Sequence, residues 1–161
     1  MTKKAILENY WWGQNGRAVI LDSAKPENRR QFFYPILPGW VCHPKYPDKR
    51  IPVRMLVDTG TDITVFRPNL IGELEERLPV LLAPLGIIQH GLGKEGNPSP
   101  IYDLELRLEN GHRFKINNKI AAASKTLHFD VADVWLGQDV LSNYSLEING
   151  PAKTLSLYVM E

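Results

Sequence analysis

The stretch from Val53 to Phe66, Val-Arg-Met-Leu-Val-Asp-Thr-Gly-Thr-Asp-Ile-Thr-Val-Phe, constrains this chain more than any other. An apolar run ends in Asp58, turns at Thr59-Gly60, and resumes as a second β-branched run. Ile51, Val53, Met55 and Val57 alternate, so they line one face of a strand, while Leu56 brings apolar surface to the face that Asp58 shares. Apolar residues on both faces are the pattern of a buried strand. The end of such a strand is where desolvation and neighbouring groups tune a carboxylate. The turn calls for Gly60, because a tight reversal beside an acid needs open backbone space and close approach. Taken alone, Asp-Thr-Gly also describes an Asx-turn, in which the acid bonds its own backbone and does no chemistry. The phosphorylated aspartate of phosphoryl-transfer pumps is a worse fit, since its Asp-Lys-Thr-Gly-Thr spacing needs a lysine that is missing here.

Bulk properties narrow the classes. A chain of 161 residues is long enough for one domain with one core. Its 43% hydrophobic and 23% charged residues are those of an ordinary globular protein. A formal charge of +1 argues against a nucleic-acid or membrane partner recruited by electrostatics, which needs a concentrated basic face. No window holds the roughly 18 consecutive apolar residues of a membrane span. Met1 to Gln14 mixes Lys, Glu, Asn and Trp and lacks the apolar core of a signal peptide. The single cysteine, Cys42, excludes an internal disulfide and fits a reducing compartment, so a cytoplasmic location is expected. The sequon at Asn143-Tyr144-Ser145 is then coincidental.

Along the chain, residues 1–31 form an N-terminal extension in which Trp11-Trp12-Gly13 and Ala18 to Leu21 supply an extra strand or two. Asp22 to Arg30 is polar and reads as a loop. The aromatic run Phe32 to Val41 is strand-like, and its prolines push it towards a sheet edge. A short helix is expected over Gly72 to Leu78, stopped by Pro79. Ile101 to Leu108 and Arg113 to Ile120 flank the hairpin signal Asn110-Gly111. Lys125 to Asp130 is a loop, Gln138 to Tyr144 a short helix, and Leu146 to Tyr158 a last hairpin turning at Asn149-Gly150-Pro151.

Two further blocks carry information. Gly91-Leu92-Gly93-Lys94-Glu95-Gly96 matches G-x-G-x-x-G, but a dinucleotide site needs a helix to follow, and Asn97-Pro98-Ser99-Pro100 forbids one. These glycines fit the tip of a β-hairpin better. Val134-Trp135-Leu136-Gly137-Gln138-Asp139-Val140-Leu141 is an apolar strand end, a glycine and a helix start. With Asp58-Thr59-Gly60-Thr61-Asp62, in this order, the blocks resemble the retropepsin-like (retroviral-type) aspartic proteases. The likeness covers roughly Phe32 to Leu157. Gln138 departs from it, since many retropepsins have an arginine there that pairs with the acid matching Asp62. Thr61 replaces the usual Ala or Ser, and Leu70 to Gly86 is longer than in compact viral members.

The resemblance implies an all-β fold: a closed acid-protease barrel with one short C-terminal helix and a flap hairpin, its protease domain spanning 32–161. It implies an aspartic endopeptidase in which Asp58 is catalytic, Thr59, Gly60 and Thr61 support the loop, and Thr61 hydrogen-bonds the carboxylate. Thr59 would bond across a two-fold axis. Gly60 and Asp62 would contact a polypeptide substrate, and Gly91, Leu92 and Gly93 would close over it. In the family, the strand ending at the position of Gly137 threads beside the catalytic loop. Only one Asp-Thr-Gly is present, so a homodimer would supply the second carboxylate. No metal or cofactor is implied. His43, His90, His112 and His128 lack H-E-x-x-H spacing, and Cys42-His43 lies in no thiol-protease signature. Two other readings stand beside this one: a catalytically weak retropepsin-like module for dimerisation or peptide binding, and an unrelated β-barrel binder whose Asp-Thr-Gly is only a turn.

Overall fold

The alternation over Ile51–Val57 builds the end of a long strand. The computed structural model describes residues 1–13, 16–20, 29–90, 97–116, 120–122 and 132–161. Its strands up to the Asp58 turn are β1 Lys3–Trp11, β2 Gly16–Ile20, β3 Arg29–Phe33, β4 Ile36–His43 and β5 Tyr46–Val57. Beyond the turn come β6 Val65–Phe66, β7 Gly86–His90, β8 Asn97–Tyr102, β9 Glu105–Leu108 and β10 Ile120–Ala122. The last are β11 Val134–Leu136, β12 Ser145–Asn149 and β13 Thr154–Met160. Helices α1 Leu70–Glu75 and α2 Gln138–Leu141 are both short. The chain is therefore mostly β, with two short helices among the described residues, near the two places the residue pattern predicted; the resemblance implied only the C-terminal one. None is long and apolar enough to cross a membrane.

By contact, the chain groups into two units. One joins Met1–Ile36 to Tyr144–Glu161, and the other is Leu37–Asn143. The expected boundary lay after residue 31 and kept the C-terminal strands with the protease domain. In the first unit β13 lies between β1 and β12, antiparallel to both. The N- and C-terminal residues clasp each other, with Thr2 N–H to Glu161 O at 2.8 Å and Glu161 N–H to Thr2 O at 3.0 Å. Trp12, Leu155 and Leu157 are buried there. The β12–β13 hairpin turns at Asn149-Gly150-Pro151, and Asn149 Oδ1 accepts from Ala152 N at 3.0 Å.

The second unit is built on one sheet of order β7-β8-β10-β6-β11-β5-β4-β9. This sheet is open, not the closed barrel expected. Closure would pair β7 with β9, yet the outer side of β9 is taken by the chain's own return. Leu108 N–H donates to His112 O and Phe114 N–H to Leu106 O, both at 2.9 Å. Between them Gly111 adopts φ +91°, the left-handed turn that glycine tolerates. The run expected at a sheet edge also differs, because β4 lies inside, between β5 and β9. Pro38 precedes the first β4–β9 pair, Gly39 with Leu108, where its missing N–H breaks no rung of that ladder.

Strand β11 decides the layout of the centre. It runs parallel to β5 and antiparallel to β6, and so separates two strands that are consecutive around Asp58. Its start is held by Asp133, whose Oδ2 accepts from Arg54 N at 2.7 Å and whose Oδ1 accepts from Arg67 Nε at 3.0 Å. The Asp133 backbone bonds the same neighbours, N–H to Arg54 O at 2.8 Å and O from Arg67 N–H at 3.0 Å. Val53, Met55, Val57, Phe66, Val134 and Leu136 are buried on these strands. Helix α1 adds Leu70 and Leu74, and it begins two residues earlier than the pattern predicted because Leu70 is itself fully buried.

Phe66→Ala is expected to lower stability by about 3–5 kcal/mol, measured by denaturant unfolding, since Phe66 is 1% exposed between β10 and β11. Arg67 donates to both Glu73 oxygens and holds that carboxyl below its ordinary 4.5. A depressed carboxyl contributes stability above its unfolded value and loses it as pH falls through the folded one. Glu73→Gln should therefore flatten the loss of stability below pH 4.5. The effect should be small, because the Glu73 side chain is 39% exposed.

Candidate active site

Asp58 follows the last residue of β5, and its N–H donates to Leu136 O of β11 at 3.1 Å. Both oxygens of its half-buried carboxylate are held by its own loop. Gly60 N–H donates to Oδ1 at 3.0 Å, and Thr61 Oγ1 donates to Oδ2 at 2.7 Å. Thr61 N–H closes the turn on Asp58 O at 3.3 Å. The Gly60 bond is the one an Asx-turn makes. The Thr61 hydroxyl is the addition, and it fixes the carboxylate plane with a second donor. Gly60 does not need glycine for its backbone angles, since Gly111 is the glycine with positive φ among the described residues. Space does not demand it either: an added Cβ would lie 3.4 Å from Asp58 Oδ1, an ordinary contact.

The loop then crosses the end of β11. Gly137 N–H donates to Thr64 Oγ1 at 3.0 Å, Gln138 N–H to Thr61 O at 2.8 Å, and Asp139 N–H to Asp62 O at 3.0 Å. At this crossing a Cβ on Gly137 would lie 2.5 Å from Ile63 C and 2.6 Å from Ile63 O. Its φ of −94° suits any residue, so close passage of two backbones is what demands glycine. The Gln138 side chain turns to Thr59, donating to its carbonyl at 2.8 Å. It thus braces the loop and does not bond Asp62, whose exposed side chain meets no cation among the described residues.

The structure brings Asp58, Gly60 and Thr61 together and leaves Thr59 and Asp62 exposed on the same loop. Gly91, Leu92 and Gly93 lie outside the described residues. Their flanks pair antiparallel, His90 with Asn97, so a strand and not a helix follows them. The residue 125–130 loop and His128 also lie outside the described residues. Cys42 is buried, which pushes its thiol up and disfavours the reactive thiolate. Among the described residues no His, Cys, Asp and Glu side chains gather in a group fit to hold a metal.

Two residues were missed in the sequence. Thr64 is fully buried and Asp139 is 8% exposed, and Thr64 N and Oγ1 donate to Asp139 Oδ1 at 2.9 and 2.7 Å. Asp139 stands in the first turn of α2, where an acid is expected on local grounds alone. The available signal was an acid placed between the apolar runs Val134–Leu136 and Val140-Leu141. No protein-family model matches the chain, and no curated protein matches it.

Gly137→Ala is expected to push the Asp58 loop off β11. Alanine would need the Ile63 backbone to move, so we expect a loss of about 1–3 kcal/mol in denaturant unfolding. Gly72→Ala is the control: nothing lies within 4 Å of a Cβ added there, and that substitution should be neutral or stabilising.

Proposed function

We propose that this chain is a retropepsin-like aspartic endopeptidase acting as a homodimer. The observation that carries the reading is the state of Asp58. Its carboxylate stands at a strand end, gripped on both oxygens by Gly60 and Thr61, in a loop that β11 underpins. An Asx-turn accounts for the Gly60 bond. It has no need of the Thr61 hydroxyl on the other oxygen, nor of the glycine crossing at Gly137.

Peptide hydrolysis by this chemistry needs two neighbouring carboxyl groups, one ionised and one protonated. Held close together they share one proton, because two like charges at such range do not both ionise. The ionised carboxylate takes a proton from water as that water attacks the scissile carbonyl carbon. The protonated one hydrogen-bonds the carbonyl oxygen as it gains negative charge. The proton gained from water then passes to the leaving amine. Asp58 supplies one carboxyl group, and Asp58 of the partner subunit supplies the other. Thr61 and Gly60 orient the acid, Gly60 and Asp62 contact the substrate backbone, and Gly91, Leu92 and Gly93 close over it.

The competing reading is a module of the same fold that binds peptide or dimerises with little turnover. Incubation with a denatured protein substrate, with and without a transition-state-mimicking inhibitor such as pepstatin, separates the two. Inhibitor-sensitive cleavage supports the protease, and saturable binding without cleavage supports the module. Asp58→Asn should reduce hydrolysis by at least about two to four orders of magnitude, because the amide does not serve as general base. Circular dichroism should show an unchanged fold, and full activity in the purified variant would end the assignment.

Specific activity should also fall on dilution, with mass followed by light scattering. A monomer has one Asp58 and should be inert. Because association stabilises the folded chain, its unfolding midpoint should rise with protein concentration. Constant specific activity in a species of monomer mass would overturn the homodimer.

A further inference from the structure

We propose that Asp139 is a positioning residue for the Asp58 loop and acts through Thr64. Its consequence for catalysis rests on the protease reading, while the grip itself rests on geometry. Asp139 holds the loop at two points. Its N–H donates to Asp62 O at 3.0 Å, and its Oδ1 accepts from Thr64 N at 2.9 Å and Thr64 Oγ1 at 2.7 Å. The same Oδ1 accepts from Val140 N at 2.9 Å, tying the contact to α2. Thr64 Oγ1 meanwhile accepts from Gly137 N at 3.0 Å. A hydroxyl that donates to one group and accepts from another is fixed in rotation. The relay Gly137–Thr64–Asp139 therefore locks the exit of the loop to the end of β11.

Capping alone does not explain this residue. Asp139 Oδ2 is buried with no hydrogen-bond partner, and an unpartnered buried polar atom costs stability. The N-cap of α2 is Gly137, and Asp139 is the second residue inside that four-residue helix. One oxygen of Asp139 serves both Thr64 groups and Val140 N. The buried carboxylate is the group that spans the gap between α2 and the loop exit. With Thr64 released, the loop keeps its local bonds at Gly60 and Thr61 but loses its anchor, so Asp58 drifts relative to its counterpart.

The test compares full-length Asp139→Ala, Asp139→Asn and Thr64→Val with the wild type. It measures kcat and KM on a peptide that the wild type cleaves, thermal unfolding, and amide hydrogen exchange by NMR. Misplacing a catalytic group slightly costs about a hundredfold, so Asp139→Ala and Thr64→Val should lose about that much in kcat, with KM changed less than about threefold. Asp139→Asn keeps a carbonyl acceptor and should recover at least about tenfold of the loss. Exchange at the Thr64, Gln138 and Asp139 amides should quicken in Thr64→Val, with the β4–β9 ladder unchanged. Thr64→Val keeps the side-chain shape and decides the matter if Asp139→Ala does not fold. Wild-type kcat and wild-type loop exchange in folded Thr64→Val would overturn the proposal, as would equal losses in Asp139→Asn and Asp139→Ala. If the wild type cleaves nothing, the protease reading fails on its own. The exchange rates then decide the grip: faster loop amides sustain it, and unchanged ones refute it.

Discussion

Two backbones pass each other at Gly137, and the centre of the larger unit depends on that passage. Strand β11 lies between β5 and β6, so the chain leaving β5 at Asp58 must step over the end of β11 before it enters β6. There is room for that step because position 137 has no side chain: a Cβ would sit 2.5 Å from the Ile63 carbonyl carbon. With the passage open, Asp58 N–H reaches Leu136 O, Gln138 N–H reaches Thr61 O and Asp139 N–H reaches Asp62 O. With it blocked, no one of these bonds could keep its length. A buried loop crossing has to satisfy its backbone groups somewhere, and here they are satisfied by the strand it crosses.

The inserted strand is anchored at both ends by an aspartate, in two different ways. Asp133 at the start divides its carboxylate between Arg54 and Arg67, taking bonds from one neighbour on each side. Arg67 carries the link on to Glu73 of α1, so helix, strand ends and sheet share one ionic cluster. Both partners of the Arg67–Asp133 pair are mostly shielded, at 18% and 19% exposed, so water screens it less than a surface pair. Beyond the other end Asp139 grips by neutral donors, the Thr64 hydroxyl and three backbone N–H groups when its own bond to Asp62 is included. The result is a short strand of three residues that is fixed in register on both sides. Rigid support of this kind lets a loop hold a carboxylate in a set orientation.

Local pattern made much of this legible. The period-2 burial of Ile51, Val53, Met55 and Val57 and the Asn149-Gly150 hairpin follow from short-range rules. The mistaken expectations share a cause, which is pairing between distant segments. The sheet does not close, because β9 meets its own return at Arg113 instead of a far edge strand. The N-terminal strand is placed against β13, a partner more than a hundred residues away, and no periodicity in either strand announces that choice. In the sequence Gln138 stood out only as a departure from an arginine, and its bond to the Thr59 carbonyl, 79 positions away, became visible only in the folded chain.

The sequence by itself determined a chain rich in strands, an acid at the end of a buried strand, and a donor-bearing turn after it. It did so because side-chain alternation and turn chemistry act over a few residues. Only the tertiary structure decided that β11 runs between β5 and β6, that Gly137 and not Gly60 is the glycine the loop demands, and that Asp139 and Thr64 meet. Those two residues are 75 positions apart in the chain and 2.7 Å apart at their oxygens. Neither carries a mark of the other in its local sequence. A buried carboxylate finds its partners through the packing of the strands that bring them together, and that packing is a property of the whole sheet.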